Sequence, residues 1–420
     1  MDIVSVSALG AIVALIISIT LIIKKVHPAY ALILGALIGG LVGGVSLVDT
    51  VNFMMDGAKG MITAILRILT AGVLAGVLIE SGAAIKIAET IVSKIGQQRA
   101  LMALALATML LTMVGVFIDV AVITVAPIAI AIAKKAGLSK PAILLAMIGG
   151  GKAGNLMSPN PNAIVASENL NVPLTSLMIA GIIPAIFGII VTCILAKRID
   201  KRGSKVQFVD EEEKEKKNLP SFIAAISGPV ITIILLMLRP IAGIVIDPLI
   251  ALPVGGIIGA IIMGKGKHIS DYAVVGLNKM SGVAILLLGT GTLAGIISNS
   301  QLKDLIINGV DMIGLPSILL APIAGILMSA ATASTTSGTA VGTSVFGPTI
   351  IELGIPELNA AAMIHSGATV LDHLPHGSFF HATGGSVNME IKERLKLIPY
   401  ESLIGLVMTI VSTILFGVIL

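Results

Sequence analysis

The sequence predicts an all-α polytopic membrane protein built from two repeats that lie in the membrane with opposite orientations. Three observations support this prediction: the composition, a repeat within the chain and the distribution of basic residues. Hydrophobic residues make up 56% of the 420 residues and charged residues 12%, whereas soluble domains carry about 25% charged residues. The chain therefore has the composition of a protein that lies mostly in lipid.

Eight continuous apolar stretches approach the length of about 20 residues that a bilayer core requires. They are 3–23, 29–48, 61–80, 174–196, 221–238, 248–263, 280–298 and 400–420. Four further apolar stretches are interrupted by Gly, Pro, Ser, Thr, Asn or His, namely 100–135, 140–170, 315–352 and 356–389. Because polar groups are costly in lipid, we expect the functional residues in these four stretches.

The second half of the sequence repeats the first. The segment HPAYALILGALIGG (27–40) is similar to DPLIALPVGGIIGA (247–260), and Pro159 corresponds to Pro375. The offset between corresponding positions changes only from 220 to 216 over this distance. We therefore predict two repeats joined by a charged linker. The repeats are 1–196 and 221–420, and the linker is 197–220.

Basic residues are concentrated at positions that share one side of the membrane. The linker carries eight of them: Lys197, Arg198, Lys201, Arg202, Lys205, Lys214, Lys216 and Lys217. If stretches 100–135 and 315–352 are re-entrant hairpins, each repeat crosses the membrane five times, and this odd number inverts the second repeat. The resulting topology places 22 of the 27 Lys and Arg in the cytoplasm, in agreement with the positive-inside rule. We therefore expect a cytoplasmic linker and external termini.

A polar segment, GGGKAGNLMSPNPN (149–162), lies between two hydrophobic segments. It is not a nucleotide-binding P-loop, because Ala146 and Ala153 occupy the positions where that motif requires Gly and Ser or Thr. Pro159 and Pro161 remove backbone donors and interrupt a helix. We predict that this segment is the unwound middle of a discontinuous helix.

The second repeat contains a counterpart of this segment, HSGATVLDHLPHGS (365–378), and two hairpin tips are predicted at VFIDVAV (116–122) and ATASTTSG (331–338). Inverted repeats with broken helices are typical of secondary transporters, where irregular backbone lines a substrate site near the middle of the membrane. The predicted substrate-binding residues are Lys152, Asn155, Ser158, Asn160, Asn162, Ser334, Thr335, Thr336, Ser366 and Thr369.

Lys152 is at membrane depth in this topology, where a lysine is costly unless it is paired or hydrated. We expect its ammonium to bind a carboxylate of the substrate. The alternative is that the side chain extends to the cytoplasmic surface.

The hydroxyl run at 334–337 suits a hydroxylated or carboxylate substrate or Na⁺. The alternative is that these Ser and Thr residues serve close packing between helices.

Acidic and histidine side chains in the interrupted stretches are candidates for ion coupling. They are Asp119, Asp372, His373, His376 and His365. Transporters commonly relay protons through Asp and His, and histidine titrates near neutral pH, so we favour a proton relay over a zinc site and expect no metal or other cofactor. Na⁺ is the alternative coupling ion. Asp119 is either a coupling residue or one half of a buried pair with Lys152 or Arg67.

These residues resemble those of the gluconate permease (GntP) family of the ion transporter superfamily, over nearly the whole chain. The matching residues are Asp119, where the sugar-acid permeases carry Glu, Ser334, Thr336, Pro159, Pro161 and His373. The chain differs from those permeases at Lys152, where they carry histidine, and at Pro375 and His376, where they carry Asn-Asp. The resemblance implies import of gluconate, related sugar acids, glycerate or D-serine, usually with protons.

The resemblance also implies a homodimer in which transport domains move against scaffold domains, an elevator-type motion. The scaffold spans would be 1–98 and 221–300, and the transport parts 99–196 and 301–420.

We therefore expect a secondary transporter that imports a small organic anion with protons across the plasma membrane of a prokaryote. The anion would be a gluconate-like sugar acid, a hydroxy acid or a D-amino acid. A Na⁺-coupled symporter and a cation/H⁺ antiporter of the same fold are the alternatives. A channel would need a continuous pore, and an enzyme would need a nucleophile and base or a cofactor motif, which the sequence does not show. The expected partners are the substrate, the lipid bilayer and a second copy of the chain, not nucleic acid.

The topology can be tested with single cysteines at positions 2, 210 and 420 in a Cys193→Ser background. An impermeant maleimide added to intact cells should label positions 2 and 420 and leave position 210 unlabelled until the cells are opened, because the basic linker is expected in the cytoplasm. Labelling of position 210 in intact cells would contradict the inverted-repeat topology.

Overall fold

A computed structural model describes residues 5–96, 99–201, 203–205, 219–313 and 316–419. Within these ranges the chain is helical, and its β-structure is limited to two isolated bridges, Val6 with Ser300 and Ser139 with Lys205. The all-α prediction is therefore confirmed. Position 2, Arg202, most of the linker and Gly314, which the repeat aligns with Gly96, lie outside the described residues, as does position 420.

In the part of the chain that the structure describes, eleven α-helices lie before residue 200. They are α1 (Ala8–Ile23), α2 (Pro28–Val42), α3 (Leu47–Gly60), α4 (Ile62–Glu80), α5 (Ala83–Ile95), α6 (Ala100–Met113), α7 (Ile118–Ala136), α8 (Lys140–Leu156), α9 (Pro161–Asn169), α10 (Leu174–Ala180) and α11 (Ile182–Ile199).

Eleven α-helices follow the linker in the described part of the chain. They are α12 (Phe222–Ala242), α13 (Pro248–Ile262), α14 (Ile269–Ser298), α15 (Leu302–Ile313), α16 (Leu320–Thr332), α17 (Thr335–Val341), α18 (Gly347–Glu352), α19 (Glu357–Gly367), α20 (Ser378–Ser386), α21 (Ile391–Leu395) and α22 (Ile398–Ile414). A π-helical turn (Gly342–Phe346) joins α17 to α18, and another (Leu415–Ile419) extends α22.

The order of elements is the same in both halves. Helices α3 and α4 correspond to the single long helix α14, and α7 corresponds to α17 and α18 with the π-turn between them. Corresponding helices also begin in the same way: α2 starts with Pro28 and α13 starts with Pro248. In each helix, the side chain of the residue before the proline accepts a hydrogen bond from a backbone N–H of the first turn. Proline suits this position because the first helical N–H has no partner within the helix.

Among the described residues, five helical stretches are long and apolar enough to cross a membrane. They are Ile62–Glu80, Leu174–Ile199, Phe222–Ala242, Gly266–Ser298 and Ile391–Ile419. Shorter apolar helices lie at Ala8–Ile23, Pro28–Val42, Ala100–Met113, Pro248–Ile262 and Ser317–Thr332. Each of the eight continuous apolar stretches of the sequence coincides with one of these helical segments.

The helices pack in two groups, each of which draws on both halves of the chain. In the first group, α14 packs against α2, α3 and α4, while α13 packs against α4 and α12. In the second group, α8 packs against α6, α7 and α11, α19 packs against α16 and α22, and α9 packs against α17 and α19. Helix α5 contacts α6 from the second group and α12 from the first.

The two predicted hairpins are helix–turn–helix units. Helices α6 and α7 are joined by a turn that contains Gly115 at φ +98°, and α16 and α17 by a turn that contains Ala333 at φ +47°. Left-handed backbone of this kind lets the chain reverse within a few residues. Each turn presents the first residues of the following helix, α7 or α17, toward the interior of the protein.

The two helix breaks are shorter than predicted. Helix α8 continues to Leu156 and α9 begins at Pro161, so most of 149–162 is helical. The glycines in this segment serve packing and do not unwind the helix: a Cβ on Gly150 would lie 2.0 Å from the Ala105 carbonyl oxygen of α6. In the second half the break covers 368–377, because α19 extends to Gly367.

Close packing of α4 and α14 depends on paired glycines, as is common between membrane helices. A Cβ on Gly276 would lie 1.8 Å from the Gly72 carbonyl oxygen, whereas nothing lies within 4 Å of a Cβ on Gly282 in the same helix. We expect Gly276→Ala to destabilise the protein by about 1–3 kcal/mol through overpacking, and Gly282→Ala to be neutral or slightly stabilising. The midpoint of thermal unfolding in detergent measures both, and equal midpoints for the two variants would contradict the packing.

Candidate functional site

A cavity of about 170 Å³ lies where both hairpin tips and both helix breaks meet. Its walls come from the start of α7, the break between α8 and α9, the start of α17 and the break before α20. The lining residues are Phe117, Ile118, Asp119, Asn155, Asn160, Asn162, Ala333, Ser334, Thr335, Thr336, Asp372, Ser378 and Phe379. The four interrupted stretches of the sequence therefore meet at one site.

Four helical segments begin at this cavity, so the positive ends of their dipoles face it. Asn160 caps α9 by accepting from the Asn162 and Ala163 N–H groups at 2.9 and 3.0 Å. Ser334 caps α17 by accepting from the Ser337 N–H at 3.2 Å. Helices α7 and α20 have no side-chain cap. Their first backbone N–H groups therefore remain as donors for an anion.

Polar side chains in the wall are held by one another. Thr336 donates its hydroxyl to Asn162 Oδ1 at 2.5 Å, which ties the second hairpin tip to α9. Asn160 Nδ2 donates to the carbonyl oxygen and the side-chain oxygen of Asn155 at 2.6 and 2.5 Å. Thr335 donates its hydroxyl to Asp372 Oδ2 at 2.5 Å. The wall thus offers hydroxyl and amide groups in fixed positions.

Lys152 lies behind this wall and is fully buried. Its Nζ donates to the Thr369 carbonyl oxygen at 2.5 Å and to Asp372 Oδ1 at 2.6 Å, and it lies 3.0 Å from His373 Nδ1. The alternative that Lys152 extends to the cytoplasmic surface is therefore wrong. Direct binding of a substrate carboxylate does not match this geometry either, because these three partners use all three ammonium donors.

His373 continues the buried polar cluster away from the cavity. Its Nδ1 lies 3.0 Å from Asp372 Oδ1, and its Nε2 lies 3.1 Å from the Ile398 carbonyl oxygen. Since a carbonyl can only accept, the neutral ring carries its hydrogen on Nε2, and Nδ1 accepts from Lys152. In this tautomer Nδ1 carries no hydrogen and lies between an ammonium and a carboxylate.

A second buried ion pair, Arg394 with Glu401, lies next to His373, and the sequence analysis missed it. Glu401 Oε2 is 3.9 Å from His373 Nδ1, and both Glu401 oxygens accept from the Arg394 guanidinium. Arg394 also contacts the Phe380 ring, with 4.7 Å between its Cζ and the ring centroid. The signal was present in the sequence, because Glu401 is a carboxylate at the start of the apolar stretch 400–420.

Asp119 lines the cavity and is half-buried. Its carboxylate makes no hydrogen bond or ion pair with any residue that the structure describes. The alternative pairing of Asp119 with Lys152 or Arg67 is therefore wrong.

Arg67 instead contacts Glu168 of α9, and its Nε donates to Asp247 Oδ1 at 2.9 Å. The hydrogen bond from Arg67 holds the pKa of Asp247 below its usual value, so Asp247 is ionised at neutral pH.

Besides Lys152 and His373, five predicted site residues lie outside the cavity wall. Ser366 and Thr369 donate their hydroxyls to the carbonyl oxygens of Met363 and Ser366, and His376 Nε2 lies 3.2 Å from the Ala331 carbonyl oxygen. His365 and Ser158 are buried and have side-chain atoms without a hydrogen-bond partner in the structure. His365 and Ser366 are displaced because α19 extends through them before the chain breaks.

Apolar helices surround a polar cavity between helix ends, as in an integral membrane transporter. The permease family whose model the chain matches indicates a transporter and not an enzyme. The chain matches the GntP family permeases over residues 3–419, and it belongs to this family.

Two relatives and one solved structure illustrate the similarity. The chain is 64% identical to a transporter of Haemophilus influenzae over 414 residues, which cover 99% of each chain. It is 25% identical to the gluconate permease of Pseudomonas aeruginosa, over 93% of this chain and 92% of the permease. The crystal structure of the YdaH transporter of Alcanivorax borkumensis has the same fold, with a TM-score of 0.68 and 17% identity over 88% of this chain and 89% of YdaH.

The buried pair of Lys152 and Asp372 can be tested by charge removal. Lys152→Gln should destabilise the protein by about 3–5 kcal/mol, because it leaves a buried carboxylate without its counter-charge. The double variant Lys152→Gln/Asp372→Asn should recover a large part of this loss, while Lys59→Gln, in an exposed pair, should unfold as the wild type does. Thermal unfolding in detergent measures all three, and a stable Lys152→Gln single variant would contradict the pairing.

Proposed function

We propose that the protein imports a small organic anion, such as a gluconate-like sugar acid or a hydroxy acid, together with protons. The observation that carries this proposal is that Asp372 links the cavity wall to His373. One oxygen of Asp372 accepts from Thr335 in the wall, and the other accepts from Lys152 and lies 3.0 Å from His373 Nδ1. A proton-binding group is thereby connected to a group that faces the substrate.

The walls of the cavity support binding of an anion. The uncapped N-termini of α7 and α20 provide backbone N–H donors and the positive ends of two dipoles. The Ser334 hydroxyl and the Asn155 amide can donate to a carboxylate or hydroxyl group of the substrate. The Thr336 oxygen, whose hydrogen is donated to Asn162, can accept from a substrate hydroxyl. Lys152 contributes indirectly: it neutralises Asp372, which would otherwise repel an anion in the cavity.

Protonation of His373 would rearrange this cluster. In the neutral ring, Nδ1 accepts a hydrogen bond from Lys152. Once protonated, Nδ1 can only donate, and the positive charge of the ring repels the Lys152 ammonium. Asp372 Oδ1 would then accept from His373, and Lys152 would lose one of its three partners. Since Asp372 also holds the Thr335 hydroxyl, the proton and the substrate act on the same carboxylate.

A Na⁺-coupled symporter is the second candidate, and the unpaired Asp119 favours it. Hard cations bind to oxygen ligands, and Asp119 shares the cavity with side-chain oxygens of Asn155, Asn162 and Ser334. Na⁺ at this position would balance the charge of an anionic substrate. Under the proton-coupled proposal, Asp119 is instead a second protonatable carboxylate of the cavity. Replacing Na⁺ by choline in the transport assay distinguishes the two.

We also propose that the two halves are inverted in the membrane and that the second helix group moves against the first, within a homodimer. The equal order of elements in both halves and the packing of the helices into two groups support this proposal. Glu168 of α9 and Arg67 of α4 form an ion pair that connects the groups. A moving transport part would have to break this contact.

The coupling role of His373 can be tested in proteoliposomes that contain the purified protein. His373→Gln should abolish accumulation of labelled substrate driven by a pH gradient, because an amide does not bind a proton, while exchange of internal for external substrate persists. His381→Gln provides the matched control, because His381 is an exposed histidine whose Nε2 contacts only the Pro375 carbonyl oxygen among described residues.

The assay uses gluconate, glycerate and D-serine in parallel, each with Na⁺ and with choline. Accumulation by His373→Gln at the wild-type level under a pH gradient would exclude His373 as the coupling group. Accumulation that requires Na⁺ and ignores the pH gradient would replace proton coupling by Na⁺ coupling. If none of the three compounds exchanges, the substrate class is wrong.

A further inference from the structure

A second cavity, a groove of about 770 Å³, lies at the protein surface between the end of α11 and the start of α22. It is separate from the cavity described above and shares no lining residue with it. Both helices belong to stretches long and apolar enough to cross a membrane. The groove therefore lies where two such helices reach the edge of the bilayer.

One end of the groove is basic. Lys197 and Arg198 occupy the last turn of α11, Lys201 follows it, and all three side chains are exposed. None of them forms an ion pair or hydrogen bond with another residue in the described part of the chain. The neighbouring Asp200 is already engaged, because it accepts from the Ser139 N–H at 2.6 Å and lies 3.7 Å from Lys205 Nζ. Three positive charges thus face the groove without a partner among the described residues.

The other part of the groove is apolar. Ile194 and Leu403 line it and are 48% and 42% exposed. Ile190 and Ile186 continue the exposed apolar face of α11 at steps of four residues, so they lie on one side of the helix. An apolar strip that leads to a basic cluster at the membrane edge matches the shape and charge of a phospholipid with an anionic head group.

We propose that this groove binds an anionic phospholipid such as phosphatidylglycerol or cardiolipin. Lys197, Arg198 and Lys201 hold the phosphate group, and an acyl chain lies along Ile194 and Leu403. Basic pockets between membrane helices bind such head groups on the cytoplasmic side, which is the side expected for the linker. The inference concerns a site outside the transport cavity and does not depend on the proposed substrate.

The position of the groove connects the lipid to the buried cluster. Tyr400 lines the groove from the first turn of α22. In the same turn, the Ile398 carbonyl oxygen contacts His373, and Glu401 pairs with Arg394. A lipid in the groove would therefore pack against the outer side of the turn whose inner side positions His373.

The test is native mass spectrometry of the purified full-length protein with added lipids. Wild-type protein should bind phosphatidylglycerol and cardiolipin in preference to phosphatidylcholine. The triple variant Lys197→Gln/Arg198→Gln/Lys201→Gln should lose this preference, by about fivefold in affinity for each cation removed. The matched control is Lys24→Gln/Lys25→Gln/Lys267→Gln, which removes three exposed cations from other helix ends and should bind as the wild type does.

Equal binding of phosphatidylcholine to the wild type would overturn the proposal, as would an unchanged lipid preference in the triple variant. An equal loss in the control variant would overturn it too, because the attraction would then reflect total charge and not this groove. Inorganic phosphate at the same concentration should not displace the lipid; if it does, the groove is a phosphate site without a lipid component. A matching thermal midpoint for both variants shows that the fold is intact.

Discussion

The buried ion pair between Lys152 and Asp372 is the interaction on which the arrangement of the two halves depends. Neither charge is stable in this environment alone, because removing an ion from water costs several kcal/mol. The Thr369 carbonyl oxygen and His373 Nδ1 satisfy the remaining donors of the ammonium. Helix α8 of the first half is thereby fixed to the break between α19 and α20 of the second.

This pair also sets the charge of the cavity. Lys152 compensates Asp372, and Arg394 compensates Glu401, so both buried carboxylates near His373 have counter-charges. Asp119, in the first turn of α7, is left in the wall as an acidic group without a partner among the described residues. Under the proposed function, the helix N-termini would attract the anion and Asp119 would oppose it, which would limit the affinity and allow release.

Sequence patterns predicted the apolar spans, the two hairpins and the positions of the breaks, since each depends on neighbouring residues. They could not predict the partner of Lys152, because Asp372 lies 220 positions away and only the folded chain brings them together. They overestimated the first break, because the glycines at 149–151 could indicate either unwinding or close packing. They missed Arg394, whose place among other basic residues suggested an exposed loop, although only 1% of its surface is exposed.

The Arg67 guanidinium contacts Glu168 in one helix group and Asp247 in the other, but the two contacts differ in strength. Asp247 accepts from two guanidinium nitrogens and also caps α13, so Arg67 would stay with its own group in the proposed motion. The contact that would break in that motion is the one with Glu168, where about a fifth of each side chain is exposed. Dissolved ions screen such a pair, so the rate at which the groups separate should rise with ionic strength. Salt concentration would then act on the speed of transport without touching the substrate site.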